Sequence, residues 1–421
     1  MELTQFLDVA RARRDTPGTQ HVTHLNNAGA ALPPTPVTDA VIAHLRREAA
    51  IGGYEAADAA REQVDNTYNA IARLIGCNPR EVAVVENATR AWDMAFYGLT
   101  FTPGDRILTA RAEYSSNVIA FLQVARRSGA VIEVVDNDDS GQLSLEDLRR
   151  RLGTGGGQVK LVAITHVPTQ GGLVNPAEEI GAAAREAGVP YLLDACQSVG
   201  QLPIDVDRIG CDFLSATGRK YLRGPRGTGF LYVRESALAL LEPPFLDLHA
   251  AAWTAVDRFE IRPDARRFEN WETNYAAKIG LGVAVDYAMS WGMEAIEARI
   301  TMLADSLRRL LEDVEGVRVH DQGIRRCGIV SFSVDGIPAS QVQSLLSAHG
   351  INVSVSLVEY ARLDLPERGL PDLVRASVHY YNTEEELRRL IDALPSPARQ
   401  MTSNGPRSGV VGPPSSESPG T

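Results

Sequence analysis

The sequence predicts an α/β protein with a mostly parallel central sheet in a large domain, followed by a smaller α+β C-terminal domain. Two observations predict this fold class. Between about residues 82 and 233, short apolar or β-branched runs alternate with longer segments of helical spacing, which is typical of repeated βα units. After about Ala276, a long helical stretch leads instead into short strands and two further helices.

The alternating region supplies the elements of the large domain, in chain order. The predicted strands are Val82–Glu86, Arg106–Thr109, Val131–Val135, Leu161–Thr165, Pro190–Leu193, Asp212–Ala216 and Gly229–Val233. The predicted helices between them are Thr89–Gly98, Ser116–Ser128, Leu145–Leu152 and Pro176–Ala187. Helices that connect consecutive strands favour parallel pairing, because parallel strands need a long crossover.

Changes in composition give the expected domain boundaries. We place the large domain at residues 21–275 and the small domain at 276–395, with residues 1–20 packing on the small domain. Residues 396–421 are rich in Ser, Pro and Gly and nearly free of large apolar side chains. Such a segment cannot bury enough surface to offset its chain entropy, so we predict a disordered tail.

Overall composition excludes several classes of function. The net charge of −11 argues against a nucleic-acid or anionic-membrane surface, because both require clustered Lys and Arg. The chain shows no signal peptide and no apolar stretch long enough to cross a bilayer, so we expect a cytoplasmic protein. The four cysteines are far apart and predict neither a metal site nor a disulfide framework.

Unusual polar residues follow five of the predicted strands. In open α/β sheets, ligands bind beyond the carboxyl ends of the strands. A single Asn or Thr there is usually a turn or cap residue, but five such strand ends on one edge predict a single ligand site. The residues concerned are Asn87–Arg90, Tyr114, His166–Thr169, Asp194 with Gln197, and Thr217 with Arg219 and Lys220.

These side chains fit a site for pyridoxal 5′-phosphate (PLP). A lysine that forms a Schiff base must be available as a neutral amine, and a crowded, partly desolvated cationic site lowers its pKa. An aspartate at the pyridine nitrogen keeps that nitrogen protonated. Lys220 and Asp194 fit these two roles, although a surface lysine and a helix-capping aspartate are the ordinary alternatives. A phosphate needs a helix N-terminus, hydroxyls and a cation, which are offered by Ala88, Thr89, Thr217 and Arg219.

From about His24 to Leu394, the sequence resembles class V aminotransferase-like enzymes of PLP fold type I. Cysteine desulfurases and isopenicillin N epimerase-like proteins belong to this group. The motifs are specific only in combination. They are Leu25-Asn26-Asn27-Ala28-Gly29, Asp194-Ala195-Cys196-Gln197-Ser198, Thr217-Gly218-Arg219-Lys220 and Val374-Arg375-Ala376-Ser377.

The resemblance implies a role for each matching residue. Lys220 would hold the cofactor and later move protons, Asp194 would pair with the pyridine nitrogen, and Tyr114 would stack on the ring. Thr169 and Gln197 would lie near the phenolic oxygen of the ring. The phosphate would be held by Ala88, Thr89, Thr217 and Arg219, and the amino-acid substrate by Asn27, Ala28 and Arg375. The guanidinium of Arg375 suits bidentate binding of a carboxylate.

The same resemblance implies a homodimer with shared active sites. The segment Phe268–Asn274 looks like one that a neighbouring subunit donates, with Thr273 reaching the phosphate. Two residues depart from the common pattern of the group. Arg219 stands where many relatives have His, and Thr169 stands where many have Asn, which makes the hydrogen bond to the ring oxygen less certain.

The reaction type is predicted from a missing residue and a local likeness. Desulfurases carry a nucleophilic cysteine before the carboxylate-binding arginine, and the stretch Ile351–Val374 contains none, which disfavours a desulfurase. The segment Gly52–Ala57 is similar to ergothioneine-pathway carbon–sulfur lyases. We therefore predict β-elimination from an S-substituted cysteine, in secondary metabolism. The alternatives are an epimerase or racemase, an aminotransferase, and a non-catalytic binding protein.

Overall fold

The structure is a computed structural model that describes residues 7–155 and 157–395. The predicted tail at 396–421 lies outside the described residues, as do the first six residues of the predicted N-terminal segment. In the part of the chain that is described, no helix has both the length and the apolar composition needed to cross a membrane.

The strands and helices follow in chain order. The strands are β1 (Thr23–His24), β2 (Val82–Val85), β3 (Arg106–Ala110), β4 (Val131–Val135), β5 (Val159–Thr165), β6 (Tyr191–Asp194), β7 (Phe213–Thr217), β8 (Gly229–Val233), β9 (Ala251–Ala255), β10 (Arg258–Ile261), β11 (Val317–Val319), β12 (Ile329–Val334), β13 (Ile351–Asn352), β14 (Ser354–Ser356) and β15 (Leu373–Ser377). The α-helices are α1 (Val9–Arg14), α2 (Asn27–Ala30), α3 (Thr35–Ile51), α4 (Gly53–Ala59), α5 (Arg61–Ile75), α6 (Ala88–Phe96), α7 (Ser115–Ser128), α8 (Leu145–Gly153), α9 (Ala177–Glu186), α10 (Val206–Ile209), α11 (Tyr275–Met289), α12 (Met293–Glu312), α13 (Ala339–Ala348) and α14 (Glu384–Ala393).

The large domain is built on a seven-stranded sheet with the order β2-β8-β7-β6-β5-β3-β4. The run from β7 through β6, β5 and β3 to β4 is parallel. Only β8 breaks this direction, because it is antiparallel to both β2 and β7. The prediction of a mostly parallel central sheet is therefore confirmed.

The central strands are covered on both faces. Every residue of β6 and β7 is buried, with α9 packed against β6 and α6 packed against β7. Because both faces are buried, the side chains within these strands are mostly apolar, and polar side chains are found mainly at the strand ends. The register places Thr165 of β5 beside Asp194 of β6, which brings two such ends together. This geometry puts a ligand site at the carboxyl edge of the sheet.

A second, antiparallel sheet with the order β11-β12-β15-β14 lies in the C-terminal part of the chain. Helices α12 and α13 pack against it, and α14 packs on both helices. The N-terminal part of the chain contacts this region: Arg13 of α1 forms an ion pair with Glu386 of α14 at 2.9 Å, and β1 pairs with β13.

The long helical stretch predicted after about Ala276 is two helices, so the prediction of a single stretch was wrong. The chain leaves α11 at Met289 and enters α12 at Met293, through Gly292 with a φ of +82°. Glycine adopts this left-handed conformation at little cost, which allows the break. Helix α11 packs against α3 and α5 of the large domain, whereas α12 packs on the second sheet.

Candidate active site

A cavity of about 350 Å³ opens where β5, β6 and β7 end. Its wall contains nine of the ten residues that the sequence assigned to cofactor binding; Thr273 is the exception. The structure therefore brings together residues that are up to 132 positions apart in the chain. The nine are Ala88, Thr89, Tyr114, Thr169, Asp194, Gln197, Thr217, Arg219 and Lys220.

One end of the cavity is formed by the N-terminus of α6. Asn87 caps this helix, because its side chain accepts a hydrogen bond of 2.8 Å from the backbone of Arg90. The first backbone N–H groups of a helix and its dipole form a ready site for a phosphate. A Cβ on Gly229 would lie 2.6 Å from the carbonyl carbon of Asn87, so only glycine lets β8 pass this close to the helix start.

Lys220 lies three residues beyond β7 and is 7% exposed. Burial lowers the pKa of its amine below the ordinary value, and the positive charges of Arg219 and Arg375 lower it further. Cys196 and Asp194 act in the opposite direction without reversing the shift. A buried amine that readily becomes neutral is the form that reacts with the carbonyl group of PLP.

Asp194 is held at the end of β6 by two donors. Its Oδ1 accepts from the backbone N–H of Cys196 at 2.9 Å, and its Oδ2 accepts from Nδ2 of Asn117 at 3.1 Å. Burial raises the pKa of this carboxyl group, partly offset by those two hydrogen bonds and by Lys220. A fixed carboxylate in this position can accept a hydrogen bond from a protonated ring nitrogen.

The Thr169 hydroxyl links two neighbours of the cavity. It accepts from Nη1 of Arg375 at 2.6 Å and from Nε2 of Gln197 at 3.0 Å. Because both neighbours donate, the hydroxyl hydrogen of Thr169 is left to donate elsewhere, including to an oxygen in the cavity. Thr169 therefore supplies a hydrogen-bond donor at the position where Asn is expected in many relatives.

Arg375 lies behind Thr169 and is 8% exposed. Burial lowers the pKa of this guanidinium to about 10. Its Nη1 is bonded to Thr169, while its Nη2 makes one long contact of 3.4 Å with Asn26. Its Nε has no hydrogen-bond partner among the described residues. The edge formed by Nε and Nη2 can therefore receive a carboxylate in bidentate fashion.

Arg375 and three further predicted residues are not part of the cavity wall in the single chain. The Nδ2 of Asn27 donates to the carbonyl groups of Ser377 and His24, and Ala28 accepts from Nε2 of Gln197 at 3.0 Å. These contacts position the segment that faces Arg375. Thr273 lies in a separate depression with Glu272, Asn274 and other residues.

Arg219 contacts the protein as well as the cavity. Its Nη1 donates to the carbonyl of Gly29, which ties the lysine loop to the N-terminal motif. The region around Trp253 forms the antiparallel pair β9–β10, and Trp253 is 73% exposed.

The sequence reasoning overlooked several residues of the site. Asn117 and Thr165 line the cavity, and Glu113 lies directly behind it. Glu113 directly precedes Tyr114, the N-cap of α7, and Asn117 lies in the first turn of that helix. Their position after a strand end was the available signal. Cys196 also lines the cavity.

These features fit PLP at three points. A buried amine, a fixed carboxylate and a helix N-terminus surround one cavity, and they match the carbonyl carbon, the ring nitrogen and the phosphate of this cofactor. The described residues contain no group of His, Cys, Asp or Glu side chains that could hold a metal ion.

Comparisons with known proteins indicate a single family. The family model described as Aminotransferase class-V matches residues 23–390. A "Probable cysteine desulfurase" of Xylella fastidiosa is 33% identical, covering 92% of this chain and 95% of its own, and one of Pyrococcus abyssi is 29% identical, covering 93% and 98%. The apo structure of a cysteine desulfurase from Thermococcus onnurineus NA1 superposes with a TM-score of 0.85 at 28% identity, covering 92% and 96%.

These findings confirm the resemblance, PLP fold type I and PLP as the cofactor. They contradict the predicted reaction. A β-elimination from an S-substituted cysteine was wrong, as were the epimerase and aminotransferase alternatives and the view that a desulfurase is disfavoured. The reason is physical: loss of the Cα proton is common to all these reactions, so the cofactor motifs do not separate them. The inferred place in secondary metabolism loses its basis with them.

Proposed function

Because the chain belongs to the class-V aminotransferase family, we propose that it is a PLP-dependent enzyme that removes sulfur from free cysteine and passes it to a thiol. The relatives named cysteine desulfurases support the substrate. The observation that carries the proposal is the single cavity in which the buried amine of Lys220 faces the fixed carboxylate of Asp194.

The roles of the cavity residues follow from their chemistry. When bound, PLP supplies the electron sink that acidifies the Cα–H bond and weakens the Cβ–S bond of the substrate. Arg375 binds the substrate carboxylate through its Nε and Nη2 edge. Lys220 in its neutral form accepts the proton from Cα, and its Nζ later returns a proton to the substrate. Tyr114 lines the same cavity.

Sulfur transfer from cysteine balances when a thiol accepts the sulfur. The Cβ–S bond of cysteine breaks, an S–S bond forms with the acceptor thiol, and Cβ gains a proton. The products are alanine and a persulfide, and no separate oxidant or reductant is required. The acceptor must react as a thiolate, since that is the nucleophilic form.

We propose that this acceptor is a thiol from outside the chain. Cys196 is the only cysteine on the cavity wall among the described residues, and burial raises the pKa of its thiol. The stretch Ile351–Val374 has no cysteine. Cys211 and Cys327 are buried elsewhere, and burial raises their pKa to about 12. The chain therefore has no thiol that is both near the substrate and ready to ionise.

We further propose a homodimer in which Phe268–Asn274 completes the partner's site. Residues 270–274 of this segment lie at least partly on the surface of the single chain, Trp271 is 55% exposed, and Thr273 lies outside the cavity. A cytoplasmic location remains a prediction.

The experiment is an incubation of the PLP-loaded protein with L-cysteine, with and without glutathione. Alanine formed in equal amount to glutathione persulfide, and dependent on glutathione, supports the proposal. Pyruvate and ammonia in place of alanine would overturn it. A Cys196→Ala variant is the matched control. Full activity in that variant agrees with an external acceptor, whereas loss of sulfur transfer with retained cofactor would place the acceptor at Cys196 and contradict our assignment.

A further inference from the structure

Glu113 is a buried carboxylate behind the cavity wall, 3% exposed, at the junction of β3 and α7. It touches neither the cavity nor any basic side chain within ion-pair distance among the described residues. A buried carboxylate without a cation is costly, so its environment must be specified by hydrogen bonds.

Five donors surround this carboxylate. Its Oε1 accepts from the backbone N–H of Tyr114 at 2.7 Å, from Nδ2 of Asn117 at 2.8 Å and from the hydroxyl of Thr165. Its Oε2 accepts from the hydroxyl of Thr109 at 3.0 Å and from the backbone N–H of Thr165 at 3.1 Å. The set joins the ends of β3 and β5 to the start of α7. Glu113 thus fixes three parts of the cavity wall at once.

Asn117 connects Glu113 to Asp194 in the cofactor site. Its Nδ2 donates one hydrogen to Glu113 and the other to Oδ2 of Asp194 at 3.1 Å. The opposite orientation of the amide would turn its oxygen toward two carboxylates, which excludes it. One amide group therefore bridges the two acids. The remaining oxygen of Asp194 accepts from the backbone of Cys196.

The two acids also interact through their charges. Burial raises the pKa of Glu113 to about 7, and the negative charge of Asp194 acts in the same direction. The negative charge of an ionised Glu113 stabilises a positive charge on a group that binds to Asp194. In a PLP site, this charge is the protonated ring nitrogen.

We propose that Glu113 is a positioning residue for the cofactor: through Asn117 it fixes the Asp194 carboxylate, and in its ionised form it adds a second negative charge that favours the protonated form of the ring nitrogen of PLP. Glu113 itself touches neither substrate nor cofactor. The inference rests on the pairing of Asp194 with the ring nitrogen, and is independent of which reaction the enzyme performs.

The test uses protein loaded with PLP labelled with ¹⁵N in the ring, without substrate. The ¹⁵N chemical shift reports whether the ring nitrogen carries a proton. We expect Glu113→Gln and Asn117→Ala each to move the shift toward the unprotonated value and to weaken PLP binding about tenfold, the loss of one hydrogen bond to a charged group. The double variant should be no worse than the stronger single variant, because both act through one bridge.

Asn175→Ala is the matched control. Asn175 is a buried amide that donates to the carbonyl of Thr165 at 2.8 Å, but it does not contact Asp194. It should lower stability and leave the ¹⁵N shift unchanged. An equal change in this control, or a wild-type shift in both Glu113→Gln and Asn117→Ala, would overturn the inference.

Two further variants keep the test decisive. If Glu113→Gln does not fold, Asn117→Ala decides the matter, because it removes the bridge and leaves the Glu113 carboxylate with four donors. Asp194→Asn tests the premise: an unchanged ¹⁵N shift in that variant overturns the inference at its starting point. Desulfurase activity does not enter these measurements, so failure of the proposed function is recognised separately by its products.

Discussion

Two buried lysines, Lys220 and Lys278, have surroundings that differ in one respect. Lys278 of α11 is 5% exposed and pairs with Glu269 at 3.4 Å, while its Nζ also donates to Tyr68 at 3.0 Å. Lys220 is 7% exposed, and no comparable ion pair forms there in the described part of the chain. The charge of Lys278 is balanced by an ion pair, whereas that of Lys220 is not.

The carboxylates near the two lysines differ in the direction of their pKa shifts. Burial acts to raise the pKa of Glu269, but Lys278 and several hydrogen bonds outweigh it, so that the pKa is lowered. The pKa of Asp194 remains raised by burial. Buried charges that pair with each other serve the fold, whereas a buried charge without such a partner remains available to a ligand. The chain has only three lysines, which makes the comparison testable one residue at a time.

The largest expected effect is on activity, in Lys220→Ala. We expect alanine production to fall about 1,000-fold, within the range that a positioned proton-transfer group contributes. Stability should not fall, because an unpaired buried amine is removed. The measurements are the turnover rate and the midpoint of denaturant unfolding. Lys160→Ala, outside the cavity, is the control and should keep full activity. Substantial turnover by Lys220→Ala would remove the distinction between the two buried lysines.

The second effect is on stability, in Lys278→Ala. Removal of this amine leaves the buried Glu269 carboxylate without its lysine partner, with only His249 at 3.3 Å within ion-pair distance among the described residues. This loss should lower the free energy of unfolding by about 3–5 kcal/mol. Denaturant unfolding measures this change. The double variant Lys278→Met with Glu269→Leu should recover much of the loss, since it removes both charges. A loss below about 1 kcal/mol would mean that the pair is not a structural network.

The third effect extends the comparison to arginine. Arg308 is buried in an ion pair with Asp321 at 2.8 Å, while Arg375 is buried with its Nε unpaired. We expect Arg375→Lys to raise KM for cysteine about tenfold, because a lysine offers no bidentate fork. Steady-state kinetics measures this change. Arg308→Lys should lower stability and leave KM unchanged. The reverse pattern would place the substrate carboxylate elsewhere.

The smallest effect is a pH dependence of stability in the cofactor-free protein. The pKa of Lys220 is lower in the folded chain than in the unfolded one. Between those two values the unfolded state binds more protons, so stability rises with pH across this window. Lys220→Met should therefore stabilise the protein at pH 7, and the gain should shrink as pH approaches 10. Unfolding midpoints at both pH values measure it. A constant gain would show that burial does not lower this pKa.

Much of the fold and of the candidate site was predictable from the sequence because the signals are local. The burial of β6 and β7 on both faces makes their runs mostly apolar, so strands and polar strand ends can be recognised directly. Lys220, Asp194 and Thr89 follow such runs, and all three line one cavity. The break at Gly292 was missed, because a single glycine inside a helical pattern is usually tolerated.

The tertiary structure alone decided the contacts across the chain. Arg375 reaches Thr169 over 206 positions, and Asn117 reaches Asp194 over 77. No local pattern encodes which acceptor a buried Asn or Arg finds, because that choice depends on how the sheets and helices pack. The sequence by itself determined the cofactor chemistry, through residue types at strand ends. Which buried charges are neutralised, and so which remain free for a ligand, was decided by packing.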